Sequence, residues 1–279
     1  MKFLIRIVAL AAILTLRTPA APAISARCAV VMDAESGEIL YESRADEKSL
    51  IASTTKIMTG YLACRLVNLD AEIEIPPEAV GVEGSSLYLK AGERLTGDAL
   101  LYGMLLHSGN DAATALAIAG AGSEADFVAC MNREAEALGL KNTSFANPHG
   151  LDHENNYSTA RDLAVLTAAA LRDENFRRVV STRTKTIGGR VLTNHNKLLW
   201  TCEGCIGVKT GYTKAAGRIL VSAAERDGRT LICVTIHDPN DWADHKALYD
   251  WAFARYEARS APKPSPGGEG GIGRLTEAR

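Results

Sequence analysis

Strand-forming sequence stands at both ends of this chain with a long helix-forming stretch between, and that arrangement limits the fold more than any single residue does. Cys28-Ala-Val-Val-Met-Asp33 and Glu38-Ile-Leu-Tyr-Glu-Ser43 are β-prone runs joined by Ala34-Glu35-Ser36-Gly37, the pattern of a hairpin. Apolar residues then recur at helical spacing over Ala52–Asn68, with Ser53 placed to cap the start. Gly97–His107, Asp111–Ala121, Glu124–Leu138 and Thr159–Leu171 read as further Ala/Leu-rich helices. From Arg183 the pattern returns to strands, at Thr184–Ile187, Gly207–Tyr212, Arg218–Ala224 and Thr230–Ile236, before a helix over Ala243–Tyr256. Neither set of strands can bury an apolar face by itself, so the first hairpin and the last strands must share a sheet. The expected class is α/β in the α+β sense, with a helical lobe on the sheet and a groove where the two meet.

The two ends of the chain read differently from its body. Met1–Arg6 is basic, Ile7–Leu16 is apolar and Ala21-Pro22-Ala23 is small, which predicts a secretory signal peptide over residues 1–23. The ten residues Ile7–Leu16 are too few to span roughly 30 Å of hydrocarbon. Residues 257–279 are rich in Pro and Gly without an apolar stripe, so a disordered tail is expected there and not an anchoring helix. The folded domain should therefore cover 24–256 and work outside the cytoplasm, with no strong membrane anchor. A net charge of −2 and the lack of a Lys/Arg block in the body argue against a nucleic-acid partner.

Six cysteines are present, at 28, 64, 130, 202, 205 and 233. A core this large does not need disulfides, and Cys64, Cys130 and Cys233 fall in apolar stretches where buried thiols are the plain expectation. Cys202-Glu203-Gly204-Cys205 has the spacing of a redox motif or half a zinc site. No second CxxC or HxxxH is placed to complete a metal site, so no metal is expected.

Three short boxes carry the chemistry. Ser53-Thr54-Thr55-Lys56 sets a hydroxyl and an ammonium on one helix face, about one turn apart. A serine is a poor nucleophile until a base takes its proton, and a lysine whose pKa is lowered by burial or by another cation can be that base. Ser108-Gly109-Asn110 lies between two helix patterns, where it would expose a hydroxyl and an amide at the mouth of a groove. Lys209-Thr210-Gly211 sits in a strand pattern, whose alternation sends Lys209 and Gly211 to one face and leaves Gly211 open to a second backbone. Each box alone occurs by chance; a helix-ending Ser-Gly or an exposed strand would explain the last two. A phosphate-binding loop over Gly204–Thr210 is excluded, because Val208 interrupts the motif and a strand follows where a helix is required.

Together, in the order S-x-x-K, S-x-N, K-T-G, the boxes form the set of penicillin-binding proteins and class A β-lactamases. The chain resembles the low-molecular-mass penicillin-binding proteins that act as serine-type D-alanyl-D-alanine carboxypeptidases. The likeness covers about residues 28–256 and extends to Asp33-Ala-Glu-Ser-Gly-Glu-Ile-Leu-Tyr-Glu42, Ala52-Ser-Thr-Thr-Lys-Ile-Met-Thr59, Asn147-Pro-His-Gly-Leu151, Gly207-Val-Lys-Thr-Gly-Tyr-Thr213 and Asp241-Trp-Ala-Asp-His245. It implies an antiparallel sheet flanked by helices, hydrolysis of the terminal D-Ala–D-Ala bond of peptidoglycan stem peptides, covalent binding of β-lactam antibiotics, and no cofactor.

By the same resemblance Ser53 is the acylated nucleophile, Lys56 its base, Ser108 a proton relay and Asn110 the holder of the substrate amide. Lys209 supplies positive charge near the substrate carboxylate, and Thr210 and Thr213 offer hydroxyls. The backbone N–H groups of Ser53 and Tyr212 make the oxyanion hole, and the strand of Lys209 and Gly211 pairs with the extended peptide. His149 is expected to support the structure, and His107, His153, His195, His237 and His245 to be surface or locally hydrogen-bonded. No arginine stands near Ile236–Asp244 to meet the carboxylate. The family's second all-β domain and C-terminal amphipathic helix find no counterpart in the sequence, so membrane attachment is not expected. A β-lactamase or a cross-link-cutting endopeptidase is the alternative enzyme, although Ser108-Gly109-Asn110 stands where class A β-lactamases have S-D-N. A non-catalytic wall-binding module is disfavoured by three intact boxes.

Overall fold

In the computed structural model, residues 20–260 are described. Most of the expected signal peptide and most of the expected tail therefore lie outside the described residues. β1 (Cys28–Asp33) and β2 (Ile39–Ser43) form the opening hairpin, β3 (Ser49–Leu50) follows, and a 3-10 turn over Ala52–Thr55 leads into α1 (Lys56–Leu66). The lobe adds the small strands β4 (Glu72–Glu74) and β5 (Arg94–Thr96), then α2 (Gly97–Leu106), α3 (Asn110–Ala121) and α4 (Glu124–Ala137). After β6 (Tyr157–Ser158) come α5 (Ala160–Ala170), α6 (Glu174–Val180), β7 (Thr184–Ile187), β8 (Arg190–Thr193) and the short α7 (Leu198–Thr201). β9 (Cys205–Thr213), β10 (Gly217–Arg226), β11 (Arg229–Ile236) and α8 (Asp241–Ser260) complete the order.

The main sheet has five strands in the order β2-β1-β11-β10-β9, each pair antiparallel. The first hairpin thus joins the last strands, as the sequence requires, through the register Val30↔Val234 and Met32↔Ile232. Both faces of the sheet are covered, which is why its central strands are almost continuously apolar. Val30, Met32, Val221 and Val234 face the helical lobe, whereas Val31, Leu220 and Cys233 face α8 and pack on Leu248, Tyr249 and Phe253. A polar group buried on that second side needs a partner. His245 finds two, with its Nδ1 2.7 Å from Ser222 Oγ and its Nε2 2.9 Å from Thr235 Oγ1, while Tyr249 OH is 2.7 Å from the same Ser222 hydroxyl.

The structure departs from the sequence expectations in four places. Ala52–Thr55 is a 3-10 turn, not the first turn of α1, and Ser53 makes no capping hydrogen bond. β7 pairs with β8 in a separate hairpin and is not a strand of the main sheet. α6 has no counterpart in the periodicity, being only seven residues long; Asp173 Oδ1 starts it by accepting from Asn175 N at 2.9 Å and Phe176 N at 3.0 Å. α8 runs to Ser260, past the composition change at Glu257. Among the described residues, no helix is long and apolar enough to cross a membrane.

Candidate active site

The site lies between the lobe and β9, the outer strand of the sheet. Ser53 sits in the 3-10 turn, directly after Ala52, whose φ is +45°, a region that non-glycine residues seldom adopt. The turn is held there from outside. Gly150 presses its backbone on it so closely that a Cβ would stand 2.0 Å from the Ala52 carbonyl oxygen, and at φ +92° the position suits glycine on conformational grounds too. Asn147 shapes that loop, its Oδ1 accepting from Gly150 N at 2.6 Å and its Nδ2 donating to Leu151 O at 3.0 Å. The segment Asn147–Leu151 is therefore the clamp on the serine turn.

Lys56, at the start of α1, is fully buried and its Nζ touches three oxygens. It lies 3.1 Å from Ser53 Oγ and 2.6 Å from Asn110 Oδ1, and it donates to the backbone carbonyl of His149. The two carbonyl oxygens can only accept, so they take two protons of the amine. The third tetrahedral position faces the serine hydroxyl, and in a neutral amine that position is a lone pair. Burial pushes the Lys56 pKa well below its ordinary value, and repulsion from Lys209 adds to this against an opposing pull from Asp111. The neutral amine is the form that burial favours.

Ser108 and Asn110 come from the sharp break between α2 and α3. Ser108 has φ +66°, a second strained non-glycine residue in the same groove. Its Oγ accepts from Lys209 Nζ at 3.1 Å, and that amine also donates to Thr210 O at 2.9 Å. Lys209 is buried on β9, and burial pushes its pKa down to about 7. Asn110 is oriented from two sides: Lys56 holds its oxygen, and its Nδ2 donates to Glu83 O. Asp111 next to it fixes the facing loop by accepting from Ser86 Oγ at 2.6 Å and Leu87 N at 2.8 Å.

A cavity of about 310 Å³ opens over these groups, lined by Ser53, Ser85, Ser108, Thr210, Gly211 and Tyr212 among others. Lys56, Asn110 and Lys209 are buried and do not line it themselves; Lys56 and Lys209 reach it through the hydroxyls of Ser53 and Ser108. Thr213 does not line it either: its hydroxyl donates to Asp152 Oδ1 at 2.9 Å and accepts from Ala216 N at 3.0 Å. Gly211 does receive a second backbone, with the Ile51 carbonyl 3.1 Å from where its Cβ would be.

Residues 15–240 match the family described as D-alanyl-D-alanine carboxypeptidase. The chain belongs to that family. It is 35% identical over 245 residues to the D-alanyl-D-alanine carboxypeptidase DacF of Bacillus subtilis, covering 83% of this chain and 63% of the relative. The chain thus spans a little under two thirds of that relative's length. The crystal structure of the Streptomyces K15 DD-transpeptidase superposes with a TM-score of 0.80 at 34% identity, over 85% of this chain and 100% of the other. Penicillin binding protein 5 from Haemophilus influenzae gives 0.81 at 34% identity, over 85% of this chain and 73% of the other.

Two features of this family member's groove escape a reading by motif. His195 lines the cavity, with its ring centroid 5.1 Å from that of His107, and burial followed by the charges of Lys209 and His107 pushes its pKa down to about 4. It is exposed, as expected of a surface histidine, and at the same time forms part of the groove wall. Arg218 also lines the cavity, together with Asp241 and Trp242. Its Nη2 donates to both Asp241 carboxylate oxygens at 2.8 Å, with Nε 3.1 Å from one of them. A cation therefore does reach the Ile236–Asp244 segment, delivered from β10. Lone arginines carry no sequence signal; the pairing Arg218↔Tyr212 across β9 and β10 is what brings this one to the groove.

Proposed function

We propose that this protein hydrolyses the terminal D-Ala–D-Ala bond of peptidoglycan stem peptides through an acyl-serine intermediate, and that β-lactams acylate the same serine. The observation that carries this reading is the threefold contact of Lys56, which leaves a lone pair for the Ser53 proton and nothing else. In acylation the Ser53 oxygen attacks the carbonyl carbon of the scissile bond while its proton passes to Lys56. The backbone N–H groups of Ser53 and Tyr212 would face the oxygen that becomes negative. The leaving D-alanine nitrogen needs a proton as the C–N bond breaks; Ser108, held by Lys209, would give its own and take the proton that Lys56 received from Ser53, which returns Lys56 to the neutral amine. Water then attacks the ester with Lys56 again as base, releasing the shortened peptide.

Substrate recognition follows from the edges and charges of the groove. β9 is an outer strand, so an extended peptide can add to it by main-chain hydrogen bonds. Asn110 offers its amide to the peptide, and Lys209 with the Thr210 hydroxyl faces the terminal carboxylate. Thr213 serves as the tie between β9 and the Asp152 loop. Arg218 supplies a further positive charge at the rim. No cofactor enters these steps, and among the described residues no cluster of His, Cys, Asp or Glu is placed to hold a metal. The signal pattern in residues 1–23 supports export to the outer side of the cytoplasmic membrane, where these substrates are found. The test is direct: incubate the protein with a stem pentapeptide and with labelled penicillin, and compare Ser53→Ala. Release of D-alanine and covalent label are both expected from the wild type and neither from the variant; label retained by Ser53→Ala would place the nucleophile elsewhere.

A further inference from the structure

The proposed mechanism leaves one chemical motif unused, the pair Cys202 and Cys205. Both are free thiols, and they occupy the ends of a four-residue turn closed by Cys205 N donating to Cys202 O at 3.3 Å. Gly204 takes the third position at φ +71°, which a tight turn of this kind favours. Such a turn brings its end Cα atoms within about 7 Å, the separation that a disulfide bridges without moving the backbone. Both side chains join the same apolar cluster on the α8 side of the sheet, so they share a side of the chain. The residues between them, Glu203 and Gly204, are exposed, which leaves the turn open to a reagent in solvent.

The position joins two functional parts. Cys202 ends α7, and Cys205 is the first residue of β9, four residues before Lys209. The turn is also braced against β10, where Glu225 N donates to Gly204 O at 2.8 Å and Arg226 Nε donates to Glu203 O at 3.3 Å. We propose that Cys202 and Cys205 are an oxidisable pair, a disulfide-forming site that fastens the end of α7 to the root of the substrate-binding strand. The exchange balances with a disulfide as oxidant. The Cys202 thiolate attacks one sulfur of the oxidant to give a mixed disulfide and one free thiol. The Cys205 thiolate then displaces the second thiolate and leaves the protein disulfide, so each oxidant disulfide is reduced to two thiols, which take up, by way of solvent, the two protons lost by the cysteines. Burial raises the pKa of both thiols, that of Cys205 to about 11; at Cys202 the Arg226 guanidinium offsets part of the rise, which favours Cys202 as the attacking group.

The sequence makes the test clean. No Lys or Arg lies between Leu198 and Val208, so trypsin leaves both cysteines on the single peptide 198–209. The folded full-length protein is equilibrated with oxidised glutathione, blocked with an alkylating reagent and digested without reduction. The expected product is peptide 198–209 lighter by two hydrogens and free of alkyl groups, in the wild type and in Cys233→Ser alike. Cys202→Ser and Cys205→Ser should instead keep the remaining thiol as a mixed disulfide or alkylated. The oxidised wild type should melt higher than the reduced protein, and neither single variant should show that rise. Recovery of the peptide with both thiols alkylated, a Cys202–Cys233 link, or a lower melting temperature on oxidation would each overturn the proposal.

Discussion

Gly211→Ala tests the join between the sheet and the serine turn. Gly211 lies on β9 beside the residues that lead into and out of Ser53. An alanine methyl there would stand 3.1 Å from the Ile51 carbonyl oxygen and 3.2 Å from both Cγ2 and the backbone nitrogen of Thr54. The turn cannot yield easily, because Ile51 O already accepts from Thr54 N at 3.1 Å and Thr54 Oγ1 at 2.5 Å. β9 and the turn must therefore separate by a few tenths of an ångström. Overpacking of this kind costs about 1–3 kcal/mol, and so small a displacement belongs at the lower end. For a domain of this size about 1 kcal/mol lowers the melting temperature by about 2–4 °C. The chemistry should suffer more, because the separation widens the gap between the N–H groups of Ser53 and Tyr212. Removing an oxyanion donor altogether costs about 10²–10³ in rate, so a partial displacement should slow acylation by about 10- to 100-fold. Stopped-flow acylation by a fluorescent penicillin, beside a thermal melt, measures both effects. A variant that melts a few degrees lower yet acylates at the wild-type rate would refute the assignment of this gap to the oxyanion hole.

Other outcomes follow from the same geometry. Lys56→Ala should lower the acylation rate by about 10²–10⁴ while the protein stays folded, read by acyl-enzyme mass against time. For a peptide with a free terminal carboxylate, kcat/KM should rise with pH as Lys56 loses its proton and fall as Lys209 loses its own through about 7; a substrate with a neutral end should lack the fall. Arg218→Ala should raise KM for the carboxylate-ended peptide about tenfold with a smaller effect on kcat, and Arg218→Lys should restore only part of it, because the bidentate hold of Asp241 is lost. Deleting residues 261–279 should leave acylation and membrane fractionation unchanged; loss of the protein from the membrane fraction only on truncation would reveal an anchor.

Sequence alone determined the parts whose signal is local. The hairpin of β1 and β2, the helices α2 to α5 and the strands β9 to β11 were all legible, the helices by apolar residues at helical spacing and the strands by short β-prone runs that are nearly continuous in apolar residues where both faces of the sheet are covered. The three boxes were legible because chemistry restricts the residue types, and their joint order made Ser53, Lys56, Ser108, Asn110 and Lys209 candidates before any contact was known. Tertiary structure decided what depends on residues distant in the chain. The amine of Lys56 meets Asn110 and the His149 carbonyl, 54 and 93 positions away, and only that meeting directs its lone pair at the serine. The turn of Ser53 is 3-10 because Gly150 and Gly211 press on it from two separate segments. Thr213 turned to Asp152, His195 entered the groove wall and Arg218 reached Asp241, each by packing that leaves no periodic trace. A lowered lysine pKa is likewise not a property of a motif, since burial and a second cation at short range exist only once the lobe has closed on the sheet.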